Sequence, residues 1–364
     1  MRSPVVDQDM IQEIISRLPA SDVGKSRLLN KETNERSYES WFLNLNLHRT
    51  NSISGYFAQY YGEGYKYKNR FIHERRGFEN NKVSIDFLPP GNVKIEACDA
   101  SNGIMLCALE TGPSAPEFIV CKPTTKQYQI IPDPIMQNLA VSFGLAVIQS
   151  NPFRYKILRL SPMKYVRRLN NRNHRTFACE VFDSGSFSWK RIKNLRIPRN
   201  DGLGITKPVE AAGLFHWLSW GDKVIRFCLE TESWSFFQTP KFGVSPKLVR
   251  YEGKLGVVRS SFRDSGERFY RLWVLERSCE KLWVEVKDVK NMGIGDNVLW
   301  TPCNDVVTFS ACDRLFSYDT NTEKVDIFHV KKVNYVCFPF CSDYEKVDLN
   351  NQNVKQEEEV PNAI

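Results

Sequence analysis

The chain changes its hydrophobic rhythm near residue 50. Before that point apolar side chains recur at helical spacing. Met10, Ile11, Ile14, Ile15 and Leu18 fall on one stripe, with Asp7 placed to cap the start. Pro19 ends this helix, because a proline disfavours α geometry in the residue before it. Ser21 and Asp22 can open a second short helix carrying Val23, Leu28 and Leu29, and Trp41, Phe42, Leu45 and Leu47 anchor a third helical stretch. Small helices of this kind bury little surface. The stripe therefore packs on the rest of the chain or docks on a partner.

Residues 51–94 read as a connector rich in aromatics, from Tyr56 to Phe71, that leads into a first strand at Val83–Leu88. These aromatics are expected to pack on the following domain. From residue 95 onward apolar runs of strand length alternate with Gly, Asn, Pro and Asp turns, the pattern of an all-β fold. Two half-motifs recur. One is a hairpin around a polar turn, seen in Phe118–Tyr128, Glu180–Trp189, Ile225–Trp234 and Leu315–Val325, with a weaker copy ending near Trp283. Its aromatic after the turn is expected to pack between sheets. The other half is a glycine-containing turn followed by an apolar strand, seen in Ser101–Cys107, Ala212–Leu218 and Glu252–Val258. Copies at this spacing suit the four-stranded blades of a β-propeller. A β-sandwich is the alternative, but it leaves the repeated pairing of the two halves unexplained.

Composition adds limits. The chain has 364 residues, 42% hydrophobic and 25% charged, which is ordinary for a globular protein large enough to bury a core without staples. The net charge of +8 is mild for this length and does not call for nucleic acid. The ten cysteines include no CxxC pair. The closest two, Cys337 and Cys341, have His329 as their one candidate co-ligand, short of the four ligands that zinc takes, so no metal is expected. Neither a signal-peptide pattern nor a membrane-length apolar run is present, so the cytoplasm or nucleus is expected. Residues 342–364 carry six acids and few apolar side chains, which reads as a disordered acidic tail.

No catalytic constellation stands out and nothing calls for a cofactor. His216 sits between Phe215 and Trp217 in a strand and is expected to pack rather than react. The notable charge feature runs from Arg154 to Arg175, with eight Lys or Arg and no acid. It reads either as a solvated inter-strand loop or as a docking patch formed by Lys164, Arg167, Arg168, Arg172 and Arg175 for an acidic, phosphorylated or nucleic-acid partner.

Two resemblances bear on function. Glu-Ile-Ile-Ser-Arg-Leu-Pro-Ala at 13–20 resembles the core of the F-box, where a helix ends in Ser-Arg-Leu-Pro. Arg27 and Lys31 fall where that motif carries basic residues, and Ser40–Thr50 resembles an ending common in plant F-box proteins. Asp7, Ser26 and Thr33 depart from the family pattern. Further on, Ser101–Cys107, Lys122–Tyr128, Ala212–Leu218 and Tyr318–Val325 resemble segments of the F-box-associated domain, a kelch-like propeller. The resemblance implies a small all-α N-terminal F-box of three helices over residues 1–50, then the connector 51–94, an all-β propeller-like domain over 95–341, and the tail 342–364. It also implies a non-catalytic substrate receptor of a Skp–cullin–F-box ubiquitin ligase. Its partners would be a Skp-type adaptor, a cullin through that adaptor, and a protein substrate, with neither nucleic acid nor membrane. The implied adaptor surface is Met10, Ile11, Ile14, Ile15, Leu18, Pro19, Val23 and Leu29. Two other readings stay open. In one, the propeller binds carbohydrate or RNA and the F-box is degenerate and outside any ligase. In the other, a propeller enzyme assembles its site from distant loops.

Overall fold

Asp7 starts the first helix as its sequence position suggests. Its backbone is extended and its carboxylate accepts from the Asp9 amide at 3.2 Å, which opens α1 (Gln8–Ile15). Asp22, Val23 and Ser26 are helical as well, and the Arg27 amide donates to the Val23 carbonyl at 3.2 Å, while Ser21 lies outside the described residues. A further helix not expected from the sequence follows, α2 (Lys31–Arg36), capped by Asn30, whose side-chain oxygen accepts from the Thr33 amide at 2.7 Å. The computed structural model describes residues 7–349 except 19–21, 24–25, 38–41, 43–44, 47–48, 51–52, 74–82, 113–114, 164–173, 205–206, 278–281, 291–296, 301–305, 312–313, 320–324, 330–334 and positions 242, 252, 263, 265 and 267. Among the described residues α1 and α2 are the only helices that run unbroken, and Phe42, Leu45, Asn46 and Arg49 are helical in pieces, so the expected unit of three helices is not found as such. The stripe expected on the second helix differs at Leu28 and Leu29, which lie in the turn after the helical residues. They were expected on a buried helical stripe, yet both are exposed and precede the Asn30 cap.

The connector is not a connector. Two strands form there, β1 (Ile53–Tyr61) and β2 (Tyr67–His73), paired antiparallel. The first strand expected at Val83–Leu88 is instead a turn, in which the Leu88 amide donates to the Ile85 carbonyl at 3.1 Å. Pro89 and Pro90 follow and offer no ladder donors. Val83, Ile85 and Leu88 are still buried, beneath the neighbouring sheets.

Five four-stranded antiparallel blades follow. Blade one is β3 (Asn92–Asp99), β4 (Ile104–Glu110), β5 (Glu117–Lys122) and β6 (Gln127–Ile131). Blade two is β7 (Ser142–Ser150), β8 (Phe153–Pro162), β9 (His174–Asp183) and β10 (Ser188–Pro198). Blade three is β11 (Val209–Ala211), β12 (Leu214–Leu218), β13 (Lys223–Cys228) and β14 (Ser233–Gln238). Blade four is β15 (Val244–Tyr251), β16 (Lys254–Phe262), β17 (Arg268–Arg277) and β18 (Leu282–Lys290). Blade five is β19 (Asn297–Trp300), β20 (Val306–Ala311), β21 (Arg314–Asp319) and β22 (Val325–His329). The last strand, β23 (Tyr335–Ser342), joins β1 and β2 in a three-stranded sheet, so strands from both ends of the chain share one sheet. First strands of successive blades lie side by side, and β23 lies beside β3. The architecture is a propeller.

Each hairpin repeat seen in the sequence is the third and fourth strand of one blade. The residue just before the fourth strand is left-handed in three of them: Lys126, Phe187 and Glu232 have φ of 55°, 48° and 50°. The residue after the turn carries the repeat's aromatic, and three tryptophans there reach the preceding blade. Trp189 donates its indole N–H to the Pro132 carbonyl at 2.7 Å, Trp234 to Lys193 at 3.2 Å, and Trp283 to Gln238 at 3.0 Å. Tyr128, at the matching place in blade one, stays largely exposed.

The core lies between successive sheets. Phe57, Ile95 and Phe340 fill the space beside the three-stranded sheet; Leu106, Tyr155 and Phe182 join blades one and two. Leu158, Phe215, Trp217 and Phe227 join blades two and three, and Val224, Phe237 and Leu255 join three and four. The chain after β23 also packs, against the expectation of a tail from 342. Buried Lys122 pairs with Asp343, the Gln127 side chain donates to the Val347 carbonyl at 2.8 Å, and Leu349 is buried in the core of blades one and two. Val347 and Leu349 as apolar anchors and Asp343 as a paired acid hold this stretch on the propeller despite its charge. Residues 350–364 of the expected tail lie outside the described residues.

Candidate partner-binding surfaces

Alpha-helix α1 has two apolar sides. Ile15 is buried with Val23 and Phe42, and Ile11 and Leu18 pack on this small core. Met10 and Ile14 face solvent, 60% and 58% exposed. The eight residues named from the sequence therefore do not form one surface. Met10, Ile14 and Leu29 are open, Ile11 and Leu18 are half-covered, Ile15 and Val23 are buried, and Pro19 lies outside the described residues.

Polar bonds, missed in the sequence, hold this unit. Asn46 donates through Nδ2 to the Ser16 and Leu18 carbonyls at 3.0 and 2.7 Å, which satisfies acceptors at the end of α1. Arg49 donates to Ser16 Oγ at 2.5 Å and pairs with Glu13 at 2.9 Å. Arg49 and Arg17 together hold the Glu13 carboxyl below its ordinary value. The positions that depart from the family pattern all have uses. Asp7 caps α1, Ser26 Oγ donates to the Asp22 carbonyl at 2.9 Å, and buried Thr33 accepts from Gln8 Nε2 at 2.8 Å, tying α2 to α1.

The propeller has two ends. At the proximal end the chain enters from the helical segment: Ile53 pairs with Ser342, and the Cys341 amide donates to the Ala100 carbonyl beyond β3. At the distal end lie the turns between second and third strands and the connections between blades. Large apolar side chains stand open there. Leu139, on the connection into blade two, is 87% exposed; Phe262, at the end of β16, is 63% exposed; Val141, Val244, Tyr61 and Tyr65 are exposed as well.

Trp220 is exposed at this end too. It sits at the tip of the β12–β13 turn, 58% exposed. The turn is built around buried Asp201, which accepts from Ser219 Oγ at 3.0 Å, the Gly202 amide at 2.8 Å and the Gly221 amide at 2.9 Å. The Trp220 amide donates to the Gly202 carbonyl at 3.0 Å. A Cβ at Gly202 would sit 3.0 Å from the indole ring, so glycine lets the ring lie against the backbone. The Arg175 guanidinium stands 4.8 Å from the ring centroid. The neighbouring Asp222 pairs with buried Arg259 at 3.0 Å, and Arg259 also donates to the Gly243 carbonyl at 3.2 Å, which links this turn to the start of blade four.

The basic run from Arg154 to Arg175 is not a single patch. Arg154 and Lys156 pair with Asp183 at 3.1 and 3.9 Å, and buried Arg159 pairs with buried Glu180 at 2.6 Å. Lys164, Arg167, Arg168 and Arg172 lie outside the described residues, and Arg175 joins Trp220. Other titratable groups are interior. His216 is buried, with Nδ1 3.3 Å from the Val209 carbonyl, and burial pushes its imidazole down to about 4. Lys207 reaches from the connection before β11 to the Phe338 ring, 3.2 Å from its centroid, and burial pushes its ammonium down to about 7. Among the described residues no group of His, Cys, Asp or Glu is placed to hold a metal, and no helix is long and apolar enough to cross a membrane.

The sequence matches the F-box associated beta propeller domain over residues 68–336. This chain belongs to that F-box-associated family. An Arabidopsis thaliana F-box protein is 48% identical over 44% of this chain and 88% of its own length. A second Arabidopsis F-box protein is 26% identical over 95% of this chain and 82% of its own, and an Arabidopsis F-box/LRR-repeat/kelch-repeat protein is 24% identical over 76% and 72%. The chain is thus a plant F-box protein with an F-box-associated domain. The family match begins within β2, in keeping with the two strands found in place of the connector.

Proposed function

We propose that this chain is a non-catalytic substrate receptor of a Skp–cullin–F-box ubiquitin ligase. The helical segment docks on the Skp-type adaptor, the adaptor bridges to a cullin, and the F-box-associated propeller presents a protein substrate. The observation that carries the reading is the second apolar side of α1. Met10 and Ile14 lie in water on a short helix whose own core is already filled by Ile15, Val23 and Phe42. Open apolar side chains on a marginal helix are what a partner would cover. The F-box relatives support the same reading.

The test is co-purification of the full chain with a Skp-type adaptor. Binding is expected, and the pair Met10→Asp with Ile14→Asp is expected to abolish it while leaving the melting temperature unchanged, since both side chains are exposed. A wild-type chain that recovers no adaptor would overturn the proposal.

A further inference from the structure

We propose that the cleft between the outer strands of blades two and three binds a short acidic segment of a protein partner, one that carries an aromatic or aliphatic side chain beside its acids. This rests on the receptor reading above and deepens it, by naming a face of the propeller and the chemistry that would select a substrate.

The cleft follows from how the two outer strands are built. β10 carries a bulge: Ile192 lies opposite Cys179 and Leu195 opposite Phe177, so Lys193 and Asn194 together face a single residue of β9. The Lys193 carbonyl at this bulge accepts from the Trp234 indole N–H at 3.2 Å. Trp234 is held from behind by Phe227 and Trp217, with ring centroids 4.7 and 5.7 Å away. Phe236 comes two residues later on β14 and so shares a face with Trp234, the face toward blade two. Phe237, between them, faces the other way, onto Trp283 of blade four, with ring centroids 6.1 Å apart. Blade two does not cover Phe236, which is 41% exposed. The recess left there has a volume of about 630 Å³ and is lined by Lys193 and Arg196 on one side and by Thr231, Ser233, Trp234 and Phe236 on the other. Ligand sites span roughly 300–1,000 Å³, so this cleft has room for several side chains.

The charge of the lining is positive. Lys193 and Arg196 are exposed, and neither side chain has an ion-pair or hydrogen-bond partner among the described residues. Arg191, exposed and unpaired in the same way, precedes them on β10. Glu232 also lines the cleft, but it pairs with Lys190 at 2.5 Å. Glu230, exposed in the same turn, is not among the lining residues. Three open cations thus stand against one open acid, next to an apolar wall. Lys193 and Arg196 are three residues apart, at most roughly 10 Å of strand. Two positive centres so spaced suit two carboxylates of one extended segment better than a single phosphate. The Thr231 and Ser233 hydroxyls, 2.7 Å apart, add hydrogen-bonding groups at the rim. In such a site the charges set selectivity and encounter rate, and contact with the fixed aromatic wall supplies the hold.

The experiment is a selection of random dodecapeptides displayed on phage against the full chain. Enriched peptides are expected to hold two or more Asp or Glu and at least one Phe, Trp, Leu or Ile. Their affinity should fall at least tenfold for Lys193→Glu with Arg196→Glu, and severalfold for Phe236→Ser. It should be unchanged for Lys126→Glu, a charge reversal at the matching turn of blade one. All four side chains are exposed, and an unaltered melting curve for the charge pair excludes unfolding as the cause. A selection that enriches nothing, enriched peptides that lack acids, or equal binding to the charge pair would overturn the proposal. Phosphoserine in place of one acid should leave the affinity about the same. A tenfold gain would assign the cleft to phosphorylated segments, and so also overturns it. Co-purification with the adaptor is scored separately on the same variants and should not change, so failure of this cleft is distinguishable from failure of the receptor reading.

Discussion

The helical segment and the propeller are held together on different scales. In the helical segment the described apolar core is Ile15, Val23 and Phe42 with two partly covered neighbours, and most of its remaining contacts are polar caps and ion pairs at the surface. In the propeller, apolar clusters run from one inter-sheet space to the next, and they include fully buried Trp217, Tyr155 and Phe182. The difference teaches where autonomy lies. The propeller buries enough to stand alone, while the helices leave Met10 and Ile14 open and gain from a partner.

The sharpest way to break this contrast is to damage the propeller through a polar contact. Glu180 and Arg159 are both buried and pair at 2.6 Å, and the Glu180 carboxylate also accepts from the Met136 amide at 2.8 Å. Glu180→Gln leaves the guanidinium inside without its counter-charge, which costs about 3–5 kcal/mol. Urea unfolding followed by tryptophan fluorescence should show a loss of that size. Replacing both partners, Arg159→Met with Glu180→Leu, should cost less than Glu180→Gln alone. If Glu180→Gln costs no more than a change in the surface pair Lys190–Glu232, the buried pair is not what holds the propeller.

A second test uses pH. His216 is buried and its folded value, about 4, lies below the ordinary 6.5. Between those values the unfolded chain binds a proton that the folded chain does not. The neutral imidazole's contribution is therefore intact above pH 6.5 and is lost as pH falls toward 4, by on the order of 3 kcal/mol in all. His216→Phe should flatten the propeller's stability between pH 6.5 and 4 relative to wild type. An unchanged slope would place the acid sensitivity elsewhere.

What the sequence could show follows the range of the interaction involved. The hairpin repeats were legible because a turn and its two strands are local, and Phe118–Tyr128, Glu180–Trp189 and Ile225–Trp234 each became the third and fourth strands of a blade. The tryptophan bonds were not, because Trp189, Trp234 and Trp283 find their acceptors 57, 41 and 45 residues away on another blade. The partners of Arg154 and Arg159 were hidden for the same reason. Asp183 and Glu180 neutralise Arg154 and Arg159 from across a strand pair. Val83 to Leu88 alternates like a strand but folds as a turn before two prolines. On the helices, periodicity placed Met10, Ile14 and Ile15 on one stripe, and only packing separated the open residues from the buried one. Trp220 carried a readable signal, a tryptophan inside a Ser-x-Gly-Asp turn, that periodicity does not weigh.

The mildest test addresses the helices. Asn30 caps α2 by accepting from the Thr33 amide, and Thr33 in turn binds Gln8 of α1. Asn30→Ala should cost about 1 kcal/mol. In a chain folding as one cooperative unit that loss would appear at every protected amide. If the two regions are as separate as their cores indicate, hydrogen exchange should quicken roughly fivefold at the amides of Thr33, Asn34 and Ser37, and the strands of blades one to three should keep their protection. Saturating adaptor should restore the helical amides, because binding to the folded form offsets a loss of this size. Equal quickening in the helices and in β8 or β12 would mean that the small helical core is coupled to the large one, and the division drawn between them would fall.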